Sequence, residues 1–167
     1  MIGLFLKMLM DFMDNPHQKD EFGNTVLHHV ILNDSSIIRN DLVKLLTRIK
    51  VKSEFDFDKL KIIDNNEGND CLHIACEKGH VKVVDTIMRM GHSAGAVNME
   101  RMNALHVAVK EKHLMCVRVI LSYTEKDKKD EVIKARNIHD EDTIMIGIKK
   151  RQKAIVDELL TTYSQLN

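Results

Sequence analysis

An all-α solenoid, built by stacking short helical hairpins, is the fold class this sequence predicts, and three observations predict it. A Leu-His pair recurs at Leu27-His28, Leu72-His73 and Leu105-His106, and Leu72 stands 33 residues before Leu105. A fixed period of that length marks a repeat architecture, in which no unit buries its apolar face alone. Apolar residues then recur at helical spacing, with Leu72, Ile74 and Ala75 followed by Val83, Val84 and Ile87. Finally, Leu, Ile, Val and Met dominate the apolar set, with one Pro and seven Gly in 167 residues. That suits close-packed helices and not a disordered linker.

The elements follow in chain order. Residues 1–16 read as a capping helix, because Leu6 to Asp14 looks like the second helix of a repeat whose first half is missing. Pro16 ends it, since proline cannot continue a helix and restricts the residue before it. Its Leu6, Leu9, Met10 and Met13 face should pack on the first repeat, leaving Ile2, Phe5 and Phe12 as an apolar patch through which the chain should self-associate or bind a partner. Four repeats fill 17–163, near 20–47, 64–90, 97–123 and 136–162. In the first, Gly23-Asn-Thr-Val-Leu-His-His-Val leads into a turn, Asn33 to Asp41, that reads three residues longer than its counterpart. The second and third correspond residue for residue through Met88 and Leu121. In the fourth, Ile144 takes the Leu position and Leu159-Leu160 closes the second helix. Ala75, Ala108 and Gly147 hold one small position, as close helix packing requires, with Val30 in the first repeat.

Repeat spacings of 45, 33 and 39 place two insertions, near Lys50–Lys61 and at Glu125–Glu131. Extra length should sit in loops, and the run Glu-Lys-Asp-Lys-Lys-Asp-Glu reads as a solvated one. Phe55 and Phe57 either tuck onto the stack or offer a partner two aromatic contacts.

The segment Gly68-Asn-Asp-Cys-Leu-His-Ile-Ala-Cys-Glu-Lys-Gly-His resembles the ankyrin consensus, Gly-x-Thr-Pro-Leu-His-x-Ala-Ala with Gly-His after two variable residues. Asp70-Cys71 replaces the Thr-Pro. The resemblance implies a finger followed by two antiparallel helices in each unit, with the repeat histidine bonded to the neighbouring loop. Gly79 would let the chain reverse at positive φ.

Composition removes several function classes. Twenty-five basic residues balance 25 acidic ones, aromatics are few and Trp is absent. A nucleic-acid binder would show a basic excess or stacking platforms. Cys71, Cys76 and Cys116 are too sparse for a disulfide framework and read as free thiols in a reducing compartment. The apolar start is interrupted by Lys7 and followed by Asp11 and Asp14, unlike a signal peptide. No stretch approaches the ~20 apolar residues of a membrane span. The expectation is a soluble intracellular protein.

Cys71, His73, Cys76 and His80 place two Cys and two His within ten residues, the donor types of a zinc site. Their spacing matches no zinc motif, and the repeat explains each residue separately, so neither metal nor cofactor is expected. No nucleophile–base set and no phosphate-cradling glycine string is present, and the expectation is a non-enzyme.

Ankyrin stacks bind along the finger tips and first helices. The positions left free there are Asn66, Glu67, Met99, Glu100, Arg101, His139, Asp140 and Glu141 on fingers. On first helices they are Asn33, Asp34, Glu77, Lys78, Lys110, Glu111, Lys149 and Lys150. Their mixed signs suggest a protein partner. The short stack, with Gly-Asn-Thr-Val-Leu-His-His and Asn-Asn-Glu-Gly-Asn-Asp-Cys-Leu-His-Ile-Ala-Cys, is similar to the viral ankyrins of polydnaviruses, which resemble inhibitor-of-kappaB proteins. That resemblance implies an inhibitor of Rel/NF-kappaB factors, acting in the cytoplasm and also the nucleus of the host cell to suppress immunity. It also implies that finger carboxylates meet basic segments of the Rel factor. Asp34-Ser-Ser is not the Asp-Ser-Gly-x-x-Ser degradation element of the cellular inhibitors. The competing reading is a generic ankyrin adaptor for an unrelated protein.

Overall fold

The computed structural model describes residues 18–33, 35–51 and 63–166. The expected capping helix, with its patch of Ile2, Phe5 and Phe12, lies outside them, as do Asp34, Phe55 and Phe57. Among the described residues every regular element is helical: α1 (Val26–Leu32), α2 (Ser36–Val51), α3 (Cys71–Glu77), α4 (Val81–Arg89), α5 (Ala104–Lys110), α6 (Leu114–Tyr123), α7 (Lys126–Lys134), α8 (Thr143–Lys149) and α9 (Lys153–Ser164). The architecture is an all-α repeat solenoid.

Each first helix (α1, α3, α5, α8) has seven residues, too few to persist alone in water. Each therefore leans on its own second helix and on the first helix of the next repeat: α1 on α3, α3 on α5, α5 on α8. The second helices form a parallel layer, α2 on α4, α4 on α6, α6 on α9. The core lies between the layers. Leu72, Ala75, Cys76, Val84, Leu105, Ala108, Cys116, Val117, Ile120 and Leu159 are all fully enclosed. Truncating Leu72 or Leu105 to Ala would cost ~2–5 kcal/mol there.

Two expectations about extra length are corrected. The first repeat has no longer turn: α1 ends at Leu32 and α2 begins at Ser36, the same three-residue gap that separates α3 from α4. The added residues extend the second helix instead, 16 residues against nine. Leu42 and Leu46 on that helix are buried, so the inward-facing stripe continues and the chain gains more by staying helical. Lys50, expected to open a loop, belongs to this helix, and residues 52–62 lie outside the described ones.

The second correction is the charged run Glu125–Glu131, which is helix α7 and not a loop. Glu125 pairs with Lys128 at 2.5 Å and Asp130 with Lys134 at 2.9 Å, the i,i+3 and i,i+4 contacts that support an exposed helix. Asp127 lies in the first turn and Lys134 in the last, each at the end where the helix dipole favours it. The anchor comes just after the run, where Val132 and Ile133 are buried against the stack.

Candidate protein-binding surface

Every repeat opens with a finger, and the same four-part fold recurs in each. An Asx residue starts it: Asp20, Asn65, Asn98 or Asn137. Its Oδ1 accepts the backbone N–H two and four residues on, at 2.9 and 2.7 Å for Asp20 and at 3.0 and 3.0 Å for both Asn65 and Asn98. For Asn137 the distances are 2.8 and 3.0 Å. Three residues after the Asx the chain turns left-handed, at Gly23 (φ 76), Gly68 (φ 74), Arg101 (φ 55) and Asp140 (φ 58). Neighbouring fingers are tied edge to edge: the Asn66 N–H donates to the Phe22 carbonyl (2.9 Å), Met99 to Glu67 (3.0 Å) and Ile138 to Glu100 (3.0 Å). Gly68 is required by this approach, because a Cβ there would stand 2.9 Å from the Met99 backbone nitrogen.

The repeat histidine ties each first helix to the next finger, as expected. His28 Nε2 reaches the Asn69 carbonyl at 3.1 Å, His73 Nε2 the Met102 carbonyl at 3.0 Å, and His106 Nε2 the Ala135 carbonyl at 2.9 Å. The other ring nitrogen differs between repeats. His28 Nδ1 accepts the Thr25 N–H (3.1 Å), so its ring is neutral with its proton on Nε2. His106 Nδ1 lies 2.7 Å from the Asn103 amide oxygen and 3.3 Å from the Asn103 N–H, both uncharged groups. His73 Nδ1 instead faces Asp70 Oδ1 at 2.8 Å. Both of its nitrogens then meet oxygens that only accept, and one of these is an anionic carboxylate, which favours the imidazolium.

Charge shifts agree with that geometry. Burial alone pushes the His73 ring toward neutrality, but the bond to the Asp70 carboxylate and its charge outweigh it and raise the pKa. Burial depresses His28 and His106, against the opposing carbonyl bonds from Asn69 and Ala135. Asp70, although desolvated, is held below its ordinary value by His73 and by the charge of His92, whose Nε2 lies 3.3 Å from Asp70 Oδ2. Cys71 and Cys76 are buried free thiols with pKa values driven up by desolvation, and Cys116 is raised to about 11. Among the described residues no three His, Cys, Asp or Glu side chains converge to hold a metal ion.

Fingers two and three and the ends of α3 and α5 enclose an open groove of about 660 Å³. It brings together Asn66, Glu67, Glu77, Lys78, Met99, Glu100, Lys110 and Glu111 of the expected residues, with Asn69, Asn98 and Val107 added from the walls. The buried pair Asn98 Nδ2 to Asn69 Oδ1 (2.8 Å) links the two fingers there. Arg101, His139, Asp140, Glu141, Lys149 and Lys150 do not line that groove. Arg101 and the last five lie at fingertip and first-helix positions of the third and fourth repeats. Asn33 is exposed, and its Oδ1 takes the Ser35 N–H.

Several finger acids are already paired within the molecule. Lys110 lies 3.4 Å from Glu100, Lys149 2.7 Å from Glu141, and Arg136 3.3 Å from Asp140. The surface is therefore less acidic than its composition suggests. Met99, 71% exposed, and Ile138, 53% exposed, stand at the same position of adjacent fingers. Met99 was expected here, whereas Ile138 and the Asx residues were missed. The signal for the latter was present, an Asp or Asn three residues before Gly23 and Gly68.

A family model described as "Ankyrin repeats (3 copies)" matches residues 3–97 and 37–131. The chain is 33% identical over 101 residues to the nuclear factor NF-kappa-B p110 subunit of Drosophila melanogaster, covering 59% of this chain and 10% of that protein. It is 25% identical over 134 residues to the nuclear factor NF-kappa-B p105 subunit of Rattus norvegicus, covering 62% and 14%. It thus spans only a small fraction of the relatives it matches. With repeating fingers, paired short helices and a histidine at each seam, this chain belongs to the ankyrin-repeat family, whose members serve as non-catalytic protein-interaction modules.

Proposed function

We propose that this chain is an inhibitor-of-kappaB mimic that holds a Rel/NF-kappaB factor in the groove of fingers two and three. The observation that carries this reading is the 33% identity to an NF-kappa-B subunit, spread over 101 residues and not confined to one motif. The groove supplies a surface of the right kind: mixed charge, two buried amides and an exposed methionine at its rim. Protein partners of non-obligate complexes are recognised by such charge-matched rims around a small apolar contact. By the same reading the protein works without cofactor, as a viral suppressor of host immune signalling, in the cytoplasm and nucleus of the host cell.

The test is direct binding to a purified Rel homology dimer, followed by a Rel-driven reporter. Charge reversal at Glu67 and Glu111, which pair with no lysine among the described residues, should weaken binding about tenfold and more strongly at low salt. A stack that binds no Rel dimer and leaves the reporter unchanged would leave the adaptor reading, with the same groove and an unrelated protein partner.

A further inference from the structure

The forward face of the fourth repeat is apolar and uncovered among the described residues. The gapless register puts Ile148 where the earlier repeats have Ile31, Cys76 and Val109, all fully buried, yet Ile148 is 61% exposed. Leu160 takes the place of Met88 and Leu121, 5% and 4% exposed, and is itself 46% exposed. Met145 takes the place of the seam histidine and is 45% exposed. These positions face forward along the stack. His73 and His106 bond to the following finger, and a Cβ on Gly147 would meet Val109 Cγ1 at 3.7 Å. The exposed face thus continues the helix-on-helix interface by which α3 receives α5 and α5 receives α8.

The same end is basic. Lys150, Arg151 and Lys153 sit at the turn joining α8 to α9, all exposed, and none has an acidic partner among the described residues. The third repeat has Glu111, Lys112 and Leu114 at those positions, and the second Lys78, Gly79 and Val81. In the antiparallel hairpin Ile148 lies near this turn, while Met145 and Leu160 lie farther from it. The result is an apolar strip with a positive end.

We propose that the forward face of the fourth repeat is a second docking surface, separate from the groove, for an amphipathic helix of a partner protein. Its apolar stripe covers Met145, Ile148 and Leu160, and acidic residues at one end meet Lys150, Arg151 and Lys153. A helix is the occupant because this face is shaped for helix-on-helix packing, and the unmatched cations select acid at the turn.

The probe is a synthetic helix of about 18 residues, apolar at i, i+3, i+4 and i+7 with glutamates at one end, set against a twin carrying lysines there. The acidic peptide should bind the full chain about tenfold more tightly than its twin, with salt weakening the difference. Backbone NMR shifts should centre on residues 145–160. Ile148→Ser and Leu160→Ser should each weaken binding, and so should the Lys150→Glu, Arg151→Glu, Lys153→Glu variant. All of these sites are exposed, so unchanged circular dichroism confirms folding. The proposal is overturned if neither peptide binds, if the twins bind equally, or if the shifts lie in the groove. It is also overturned if the face proves occupied otherwise: by a concentration-dependent dimer that Ile148→Ser abolishes, or by phosphatidylserine vesicles that capture the chain.

Discussion

The second and third repeats share a backbone but solve the same local problems with different chemistry. At the helix start, the second repeat has Asp70 and the third Asn103. Both side chains cap a seven-residue helix, Asp70 taking the N–H groups of Leu72 and His73, Asn103 that of His106. Either serves well as a cap. The difference lies in the histidine three residues on: the Asp70 carboxylate raises the pKa of its ring and favours the cation, while beside the uncharged Asn103 burial lowers it and favours the neutral form. One seam is held by a buried ion pair with both partners 2% exposed, the other by neutral hydrogen bonds. The turn between helices differs too, with Gly79 at φ 66 in one and Lys112 at φ 67 in the other. The lesson is that register fixes where a constraint falls, and local chemistry decides how it is met.

Removing the charge altogether should separate the repeats most sharply. Asp70→Ala strands the imidazolium of His73, the contact to His92 and two helix N–H groups, and should cost ~3–5 kcal/mol, the range for breaking a buried pair. Asn103→Ala removes only neutral bonds and should cost ~1–2 kcal/mol. Urea unfolding of the two variants measures the gap, and equal losses would erase the distinction.

Asp70→Asn should convert the second seam into a copy of the third. In the native chain the folded pKa of His73 lies above its unfolded value of 6.5. Its stabilisation is therefore complete below pH 6.5 and fades as pH rises through the folded value. His28 and His106 are depressed from the same value, so their contribution is present above it and fades as pH falls through their folded values. Asp70, depressed from 3.8, contributes above that pH and is lost in stronger acid. Asp70→Asn should move the His73 titration below that of free histidine, followed by imidazole NMR, and cost ~1–2 kcal/mol near neutral pH.

The turns offer effects of opposite sign, the gain at Lys112 being the smallest. A Cβ at Gly79 would come within 2.5 Å of the His113 ring, so Gly79→Ala should cost ~1–3 kcal/mol by overpacking and positive-φ strain. Lys112 has Gln152 where Gly79 has His113. Lys112→Gly relieves the left-handed strain and should gain ~0.5 kcal/mol, after the added entropy of an unfolded glycine. Thermal melts of the pair should move in opposite directions.

Much of this was legible in the sequence because repeats report on one another. The Leu-His pairs, the small positions at Ala75, Ala108 and Gly147, and the reversal at Gly79 could each be read from the register. So could Asn66, Glu67, Glu77, Lys78, Met99, Glu100, Lys110 and Glu111 as one surface. The left-handed sites at Arg101, Asp140, Lys112 and Arg151 carry no glycine to announce them. Helix α7 was hidden because its charges resemble a loop and its anchors, Val132 and Ile133, come only after the run. The pairing of Glu100 with Lys110 and of Glu141 with Lys149 joins residues on different elements, which spacing along the chain does not reveal. Asp70 read as a departure from the consensus Thr, and only its burial beside His73 and His92 gives it a role.

The backbone hydrogen bonds that join the described fingers run in one sense, each later finger donating an N–H to a carbonyl of the earlier one. The row consequently has a head and a tail, like a strand of yarn with a fixed lay. Phe22, Glu67 and Glu100 give their carbonyls in turn, and the next acceptor in the series is that of His139, with no described finger beyond it. Any backbone that lengthens the row at that end must arrive donor first, in the orientation of the fingers before it, so the edge discriminates between a chain and its reversed copy before any side chain is read.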